Sequence, residues 1–233
     1  MPTKVDLRGT VLVPDARGEV KVESRRGAVE IEAKIERLPA PSRFGREYLT
    51  YVLWAISPEG RPSNLGEVVL DANSEGKLKT SCELQSFALF VTAEPYFAVT
   101  QPSDVVVMEN IIRPDTVGRV EEVVAKTELL PRGHYTYMQP SGDAVEAASG
   151  EKLSMDQYEA VLALYQALNA IQIARAAGAD RDAAETMRRA EQLYEEARGL
   201  QSRNAGSRQV VMTARQAAQT AEDARAIHAK RAQ

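Results

Sequence analysis

The sequence predicts an α+β multidomain protein: an N-terminal antiparallel β-sandwich followed by a C-terminal alanine-rich helical hairpin or three-helix segment. Two partitions of the chain predict it. All 11 prolines lie at or before Pro140, whereas 21 of the last 83 residues are alanine, so two structural regimes share the 233 residues. Apolar residues recur with period two between turn signals upstream and with a four-three spacing downstream, the signatures of half-buried strands and of helices. The expected division is a β-sandwich domain over 1–140, a linker over 141–153 rich in small residues and breakers, and a helical domain over 154–233.

The strands follow from alternation. In Val29-Glu30-Ile31-Glu32-Ala33-Lys34-Ile35-Glu36 the apolar side chains take one parity and the charged ones the other, as a strand with one wet face requires. Tyr48 to Ile56 is apolar on both parities and reads as a central strand, closed by the turn Pro58-Glu59-Gly60. Further strands are expected at 19–23, 65–70, 78–84, 88–93, 105–108 and 120–129. Eight or so strands without intervening helical period argue for an antiparallel sandwich, because parallel crossovers need a dozen or more residues. An immunoglobulin-like topology is the expected arrangement, with Trp54 in the core and without the inter-sheet disulfide, since Cys82 is the sole cysteine. Pro95, Pro102 and Pro114 bracket strands.

Three helices are expected downstream. The first runs from about Ser154, a natural N-cap, to Ala177, with Gly178 as C-cap. Its apolar residues Tyr158, Val161, Leu162, Tyr165, Leu168 and Ile171 cover a wide arc, so it must be covered on more than one side. The second opens at Asp180 as N-cap, repeats Ala183, Met187, Ala190, Tyr194 and Ala197, and fades between Gly199 and Gly206. The third starts near Ser207 and carries Val210, Ala214, Ala217, Ala221 and Ala224 as a narrow coiled-coil-like seam. Alanine lets backbones approach closely but buries little area, so this stripe is the candidate partner interface, to be covered by the first or second helix, by the same helix in a second copy or by another protein.

The chemistry is sparse. A formal charge of −4 with interspersed signs argues against nucleic acid as partner. The most apolar run, Ala160 to Ala177, is broken by Gln166, Asn169, Gln172 and Arg175, so no transmembrane segment is expected. One cysteine excludes a cysteine-ligated metal, and Cys82 shares strand parity with Leu78, Thr80 and Leu84, so it reads as a small buried side chain. His134 and His228 have no second ligand at metal spacing and read as solvent-facing. P-loop, dinucleotide, nucleophile-elbow and zincin motifs are absent, and Gly66 enters a strand rather than a helix. No catalytic residue, cofactor or metal site is expected. Tyr48, Tyr51, Trp54, Phe87, Phe90, Tyr96 and Phe97 read as core, and Tyr135 and Tyr137 as exposed or at a joint.

Tyr48 to Ile56, the hairpin from Pro58-Glu59-Gly60 to Leu65-Gly66-Glu67, and Phe90-Val91-Thr92-Ala93-Glu94-Pro95 resemble a β-domain of uncharacterised bacterial envelope proteins. In those proteins an alanine-rich helical segment follows, similar to Ala170 to Ala179, and longer members continue into an OmpA-like peptidoglycan-binding domain. The resemblance implies a periplasmic or cell-envelope location if an export signal has been removed, a spacer or scaffold role, and cell-wall association through a further domain. The chain itself starts without a signal peptide or lipobox cysteine and has no OmpA-like segment, so it reads as a middle piece; without a removed signal the expected location is cytoplasmic.

The functional expectation is a non-catalytic cell-envelope structural or interaction module, with its partner held by the C-terminal helices. The alternative is a soluble binding protein whose sandwich loops, Glu94 to Asp104 among them, hold a sugar or peptide.

Overall fold

The computed structural model describes residues 2–111 and 154–233. The strand expected at 120–129, Pro114, His134, Tyr135, Tyr137 and the linker 141–153 lie outside the described residues. The chain divides into two compact units. Of the described residues, the first unit holds 2–43, 50–94 and 100–111. The second holds 44–49, 95–99 and 154–233. Two short pieces of the expected sandwich domain thus belong to the helical unit.

The first unit is an antiparallel sheet of eight strands: β1 Thr3–Gly9, β2 Arg17–Arg25, β3 Ala28–Glu36, β4 Thr50–Ile56, β5 Pro62–Val68, β6 Glu75–Cys82, β7 Ala88–Glu94 and β8 Val106–Ile111. Their order is β5-β4-β7-β8-β1-β2-β3-β6. The two end strands of that order are consecutive in sequence and meet again. Thr80 Oγ1 donates to the Leu65 carbonyl at 2.8 Å, Leu70 bridges to Gly76, and Gly66 leaves just enough room for Leu78. The sheet therefore curls towards a closed barrel, which leaves few unpaired edge groups.

This is one continuous ladder, whereas the expectation was two packed sheets in immunoglobulin order. In that order the second strand neighbours the first and the fifth; here β2 lies between β1 and β3, joined to β3 by a tight turn, and β6 takes the place beyond β3. Three connections join strands that are not neighbours in this order, β3 to β4, β6 to β7 and the end strands β5 to β6; the rest join adjacent strands. Alternation alone predicts strands but not which of them pair.

Burial follows the pattern that predicted each strand. In β3, Val29, Ile31, Ala33 and Ile35 are buried and the charged residues between them are not. On the wet parity Lys79 Nζ lies 2.8 Å from Glu32 Oε1 across the β3–β6 pair, and this hydrogen bond holds the exposed Glu32 carboxyl below its ordinary value. Every residue of β4 is buried, as its unbroken apolar run requires. The turn after it forms as expected, with Gly60 N–H donating to Ser57 O at 2.9 Å and Gly60 at φ 81°. The unexpected strand, β1, carries Thr3, Val5 and Leu7 on one parity and Lys4, Asp6 and Arg8 on the other, a period-two signal legible in the sequence. It ends where Gly9 must be glycine: an added Cβ would lie 1.8 Å from the Val13 carbonyl oxygen.

The helical unit contains, among the described residues, α1 Met155–Ala177, the single turn α2 Ala179–Asp182, α3 Ala184–Ser202 and α4 Ser207–Arg231. Ser154 caps α1 in a reciprocal box with Gln157, and Gly178 ends it in the left-handed region at φ 95°. The second long helix does not open at Asp180. Asp180 sits inside α2, the break falls at Ala183, and α3 starts at Ala184. The α4 helix is the middle one. It packs along both α1 and α3, which touch each other less extensively.

Candidate functional site

The stripe proposed from sequence as a partner surface is already occupied. Val210, Ala214, Ala217, Ala221 and Ala224 are each 0–1% exposed within the single chain, on the helix packed between α1 and α3. This close packing has a simple physical origin. A narrow alanine seam allows close approach of backbones, and here two neighbours approach it rather than one. Arg and Gln positions such as Gln209, Gln216 and Gln219 remain outward.

One outward concavity of this unit lies between α1 and α3. Val161, Leu164, Tyr165 and Leu168 recur at i, i+3, i+4 and i+7 and face Tyr194 and Arg198 of α3 across a groove of about 490 Å³. All four α1 residues are only half-buried, so the wide apolar arc of this helix is incompletely covered. The Arg198 guanidinium stands 5.8 Å over the Tyr194 ring and pairs with Glu195 at 3.1 Å. Burial pushes the Tyr194 phenol above its ordinary value, partly opposed by Arg198. The walls offer apolar side chains and two phenols, which suit an apolar helix face and offer no nucleophile activated by a base.

The segment expected to offer binding loops, Glu94 to Asp104, is largely internal. Glu94, Tyr96, Ala98, Val99 and Ser103 are buried. Within the helical unit, Phe97 N–H donates to Gln166 Oε1 at 2.7 Å, and Asn169 Nδ2 donates to the carbonyls of Glu47 and Pro95, both at 3.1 Å. These are the polar residues that interrupt the apolar run of α1, and they serve chain segments far away in sequence. Leu49 packs on Leu162 with Tyr158 and Tyr165 beside them. Tyr96 O–H donates to Glu222, whose carboxylate also receives Arg225 Nε at 2.8 Å and Nη2 at 2.7 Å.

In the first unit a second buried polar chain runs from Trp54 Nε1–H to Thr92 Oγ1 at 2.8 Å, from Thr92 O–H to Glu94 Oε1 at 2.5 Å, and from Ser103 N–H to the same oxygen at 2.6 Å. Trp54 also stacks on Phe90 with ring centroids 6.2 Å apart. Cys82 is buried, as its strand parity predicts. His228 departs from expectation: it is only 17% exposed, with Nδ1 2.5 Å from Asp182 Oδ2. Among the described residues no group of three His, Cys, Asp or Glu side chains is placed to hold a metal ion, and no helix is long and apolar enough to cross a membrane.

Compared with protein families, with curated proteins and with solved structures, the chain matches none. The reading of its site therefore rests on its own geometry.

Proposed function

We propose that this chain is a non-catalytic structural or interaction module of the cell envelope, and that its helical unit self-associates through the groove between α1 and α3. One observation carries the reading. The apolar ridge Val161, Leu164, Tyr165 and Leu168 is repeated at helical spacing on a half-buried side of α1. A ridge that also forms a groove wall is self-complementary, so two copies can exchange ridges into grooves about a two-fold axis. Tyr96, Glu222 and Arg225 in one buried network, and Trp54, Thr92 and Ser103 in the other, bond to groups of the same chain, which supports a structural role.

Sedimentation velocity of the chain and of Leu164→Glu/Leu168→Glu tests the self-association. A dimer whose fraction rises with concentration and disappears in the double variant supports it; a monomer at every concentration contradicts it. The envelope placement rests on the resemblance of the Tyr48–Ile56 and Phe90–Pro95 segments, and fractionation of the source cell tests that part separately. Recovery of the native protein in the cytosol alone contradicts it.

A further inference from the structure

The wet face of β1, β2, β3 and β6 carries its charges in an order that the sheet's own stability does not ask for. Opposite charges placed directly across a strand pair stabilise a sheet, and like charges there cost. Yet Arg8 faces Arg17 and Asp6 faces Glu19 across β1–β2, while Glu36 faces Glu75 and Lys34 faces Lys77 across β3–β6. The sign changes at the line between the two pairs, where Arg17 faces Glu36 and Glu19 faces Lys34. Across the four strands one row therefore runs plus, plus, minus, minus, and the next runs minus, minus, plus, plus.

Such a face complements a second copy of itself. A two-fold axis parallel to the strands, lying over the β2–β3 line, brings β3 of the second copy over β2 and its β6 over β1, row upon row. Arg17 then meets Glu36, Glu19 meets Lys34, Arg8 meets Glu75 and Asp6 meets Lys77, each pair occurring twice. In the following row Lys21 meets Glu32 in the same way, whereas Lys4 meets Lys79 at the rim, where the curled sheet falls away from the contact. The end row opposes Glu23 to Glu30, with the Arg25 guanidinium 3.2 and 3.4 Å from their carboxylates. A two-fold axis perpendicular to the strands also matches signs, because they alternate along each strand, but it lays β2 on β2 and gives the like cross-strand pairs no role.

Within one copy Lys4 pairs with Glu19 at 3.2 Å and Lys34 with Glu36 at 2.6 Å, and these four side chains remain 39–50% exposed. Pairs so exposed contribute little, and all four side chains can still meet a second copy. We infer that this face is a homotypic contact in which β2 of each copy lies over β3 of the other, selected by charge order. Four strands about 4.8 Å apart and three rows about 7 Å apart cover roughly 400 Å², half of the roughly 800 Å² per partner of a standard interface. The dimer is accordingly weak and salt-sensitive. It is separate from the α1–α3 groove and does not depend on it. Salt divides the two: the apolar groove contact is read at about 1 M salt, where the charged face is screened, and the face at about 0.01 M.

The test uses the full chain carrying Leu164→Glu/Leu168→Glu, which removes the groove contact, in sedimentation velocity. At about 0.01 M salt this chain forms a dimer whose fraction rises with concentration, and at about 1 M salt it loses it. Arg17→Glu/Glu19→Lys on β2 and Lys34→Glu/Glu36→Lys on β3, each added to that chain, reverse two signs without changing net charge, and each alone loses the low-salt dimer. Mixed in equal amounts they regain it, because the altered β2 of one copy meets the altered β3 of the other while the two unaltered strands meet each other. Melting curves show that both are folded; should either melt below the assay temperature, Glu19→Lys mixed with Lys34→Glu makes the same exchange in one row. A groove-altered chain that stays monomeric at low salt, a reversed variant that dimerises alone, or a mixture that stays monomeric overturns the contact.

Discussion

The Trp54 indole N–H donates to Thr92 Oγ1 at 2.8 Å between the paired strands β4 and β7, and neither side chain has any exposed surface. The Thr92 hydroxyl in turn donates to Glu94 Oε1, so one hydroxyl satisfies a donor and an acceptor at once. Thr92→Val keeps the shape and removes both bonds. It leaves the indole N–H without this acceptor and the carboxylate with one donor fewer, a loss of about 2–4 kcal/mol. Urea unfolding followed by Trp54 fluorescence reads it. A midpoint within error of the parent would mean that the two bonds contribute nothing net.

Tyr51 gives the first unit an alkaline limit. Its hydroxyl donates to the Pro39 carbonyl at 2.8 Å, and burial pushes the phenol well above the ordinary range, with Arg43 opposing slightly. The folded state therefore keeps this proton while the unfolded chain releases it near pH 10. Below that pH the contribution is fully present; above it stability falls as pH rises, because the unfolded state binds fewer protons than the folded one. Urea midpoints between pH 8 and pH 11 should fall more steeply for the parent than for Tyr51→Phe. Parallel curves would exclude Tyr51 as the source.

Asn169 ties two loop segments to α1 through a single amide, donating to Glu47 O and Pro95 O. Asn169→Asp turns that donor into a carboxylate facing two carbonyl oxygens, at a cost on the order of 3 kcal/mol or more. Asn169→Ala removes the bonds without adding charge and should cost less. The ranking Asp worse than Ala, seen in thermal melting of the full chain, is the expected outcome. The reverse ranking would mean that the amide is not acting as a donor there.

Much of the architecture was legible because local rules govern it. Alternation in Val29 to Glu36, the unbroken apolar run into Ile56, the Ser154 cap and the Gly178 stop each report the backbone at their own position. Strand β1 is equally legible in Thr3-Lys4-Val5-Asp6-Leu7-Arg8, whose alternation puts Thr3, Val5 and Leu7 on one parity. Strand order and the partners of Gln166, Asn169 and Glu222 were not, because each depends on residues tens of positions away. A glutamate on an alanine-rich helix looks solvated until Tyr96, 126 residues upstream, is known to donate to it. The seam at Val210, Ala214, Ala217, Ala221 and Ala224 is legible as a covered face, but periodicity leaves open whether a helix of the same chain, a second copy or another protein covers it; here α1 and α3 do.

The seam is buried within the single chain, and the contact surface that the helical unit is proposed to offer a second copy is the α1–α3 groove. Thermal melting and sedimentation of Ala217→Glu/Ala221→Glu beside Leu164→Glu/Leu168→Glu test it most directly. The seam positions are fully buried, so two carboxylates there should lower the melting temperature steeply at every protein concentration. The groove pair, only half-buried, should leave the melt of the dilute chain nearly unchanged and abolish self-association. A seam variant that melts like the parent while losing self-association, with the groove variant still associating, would contradict the account and return the seam to the surface between copies.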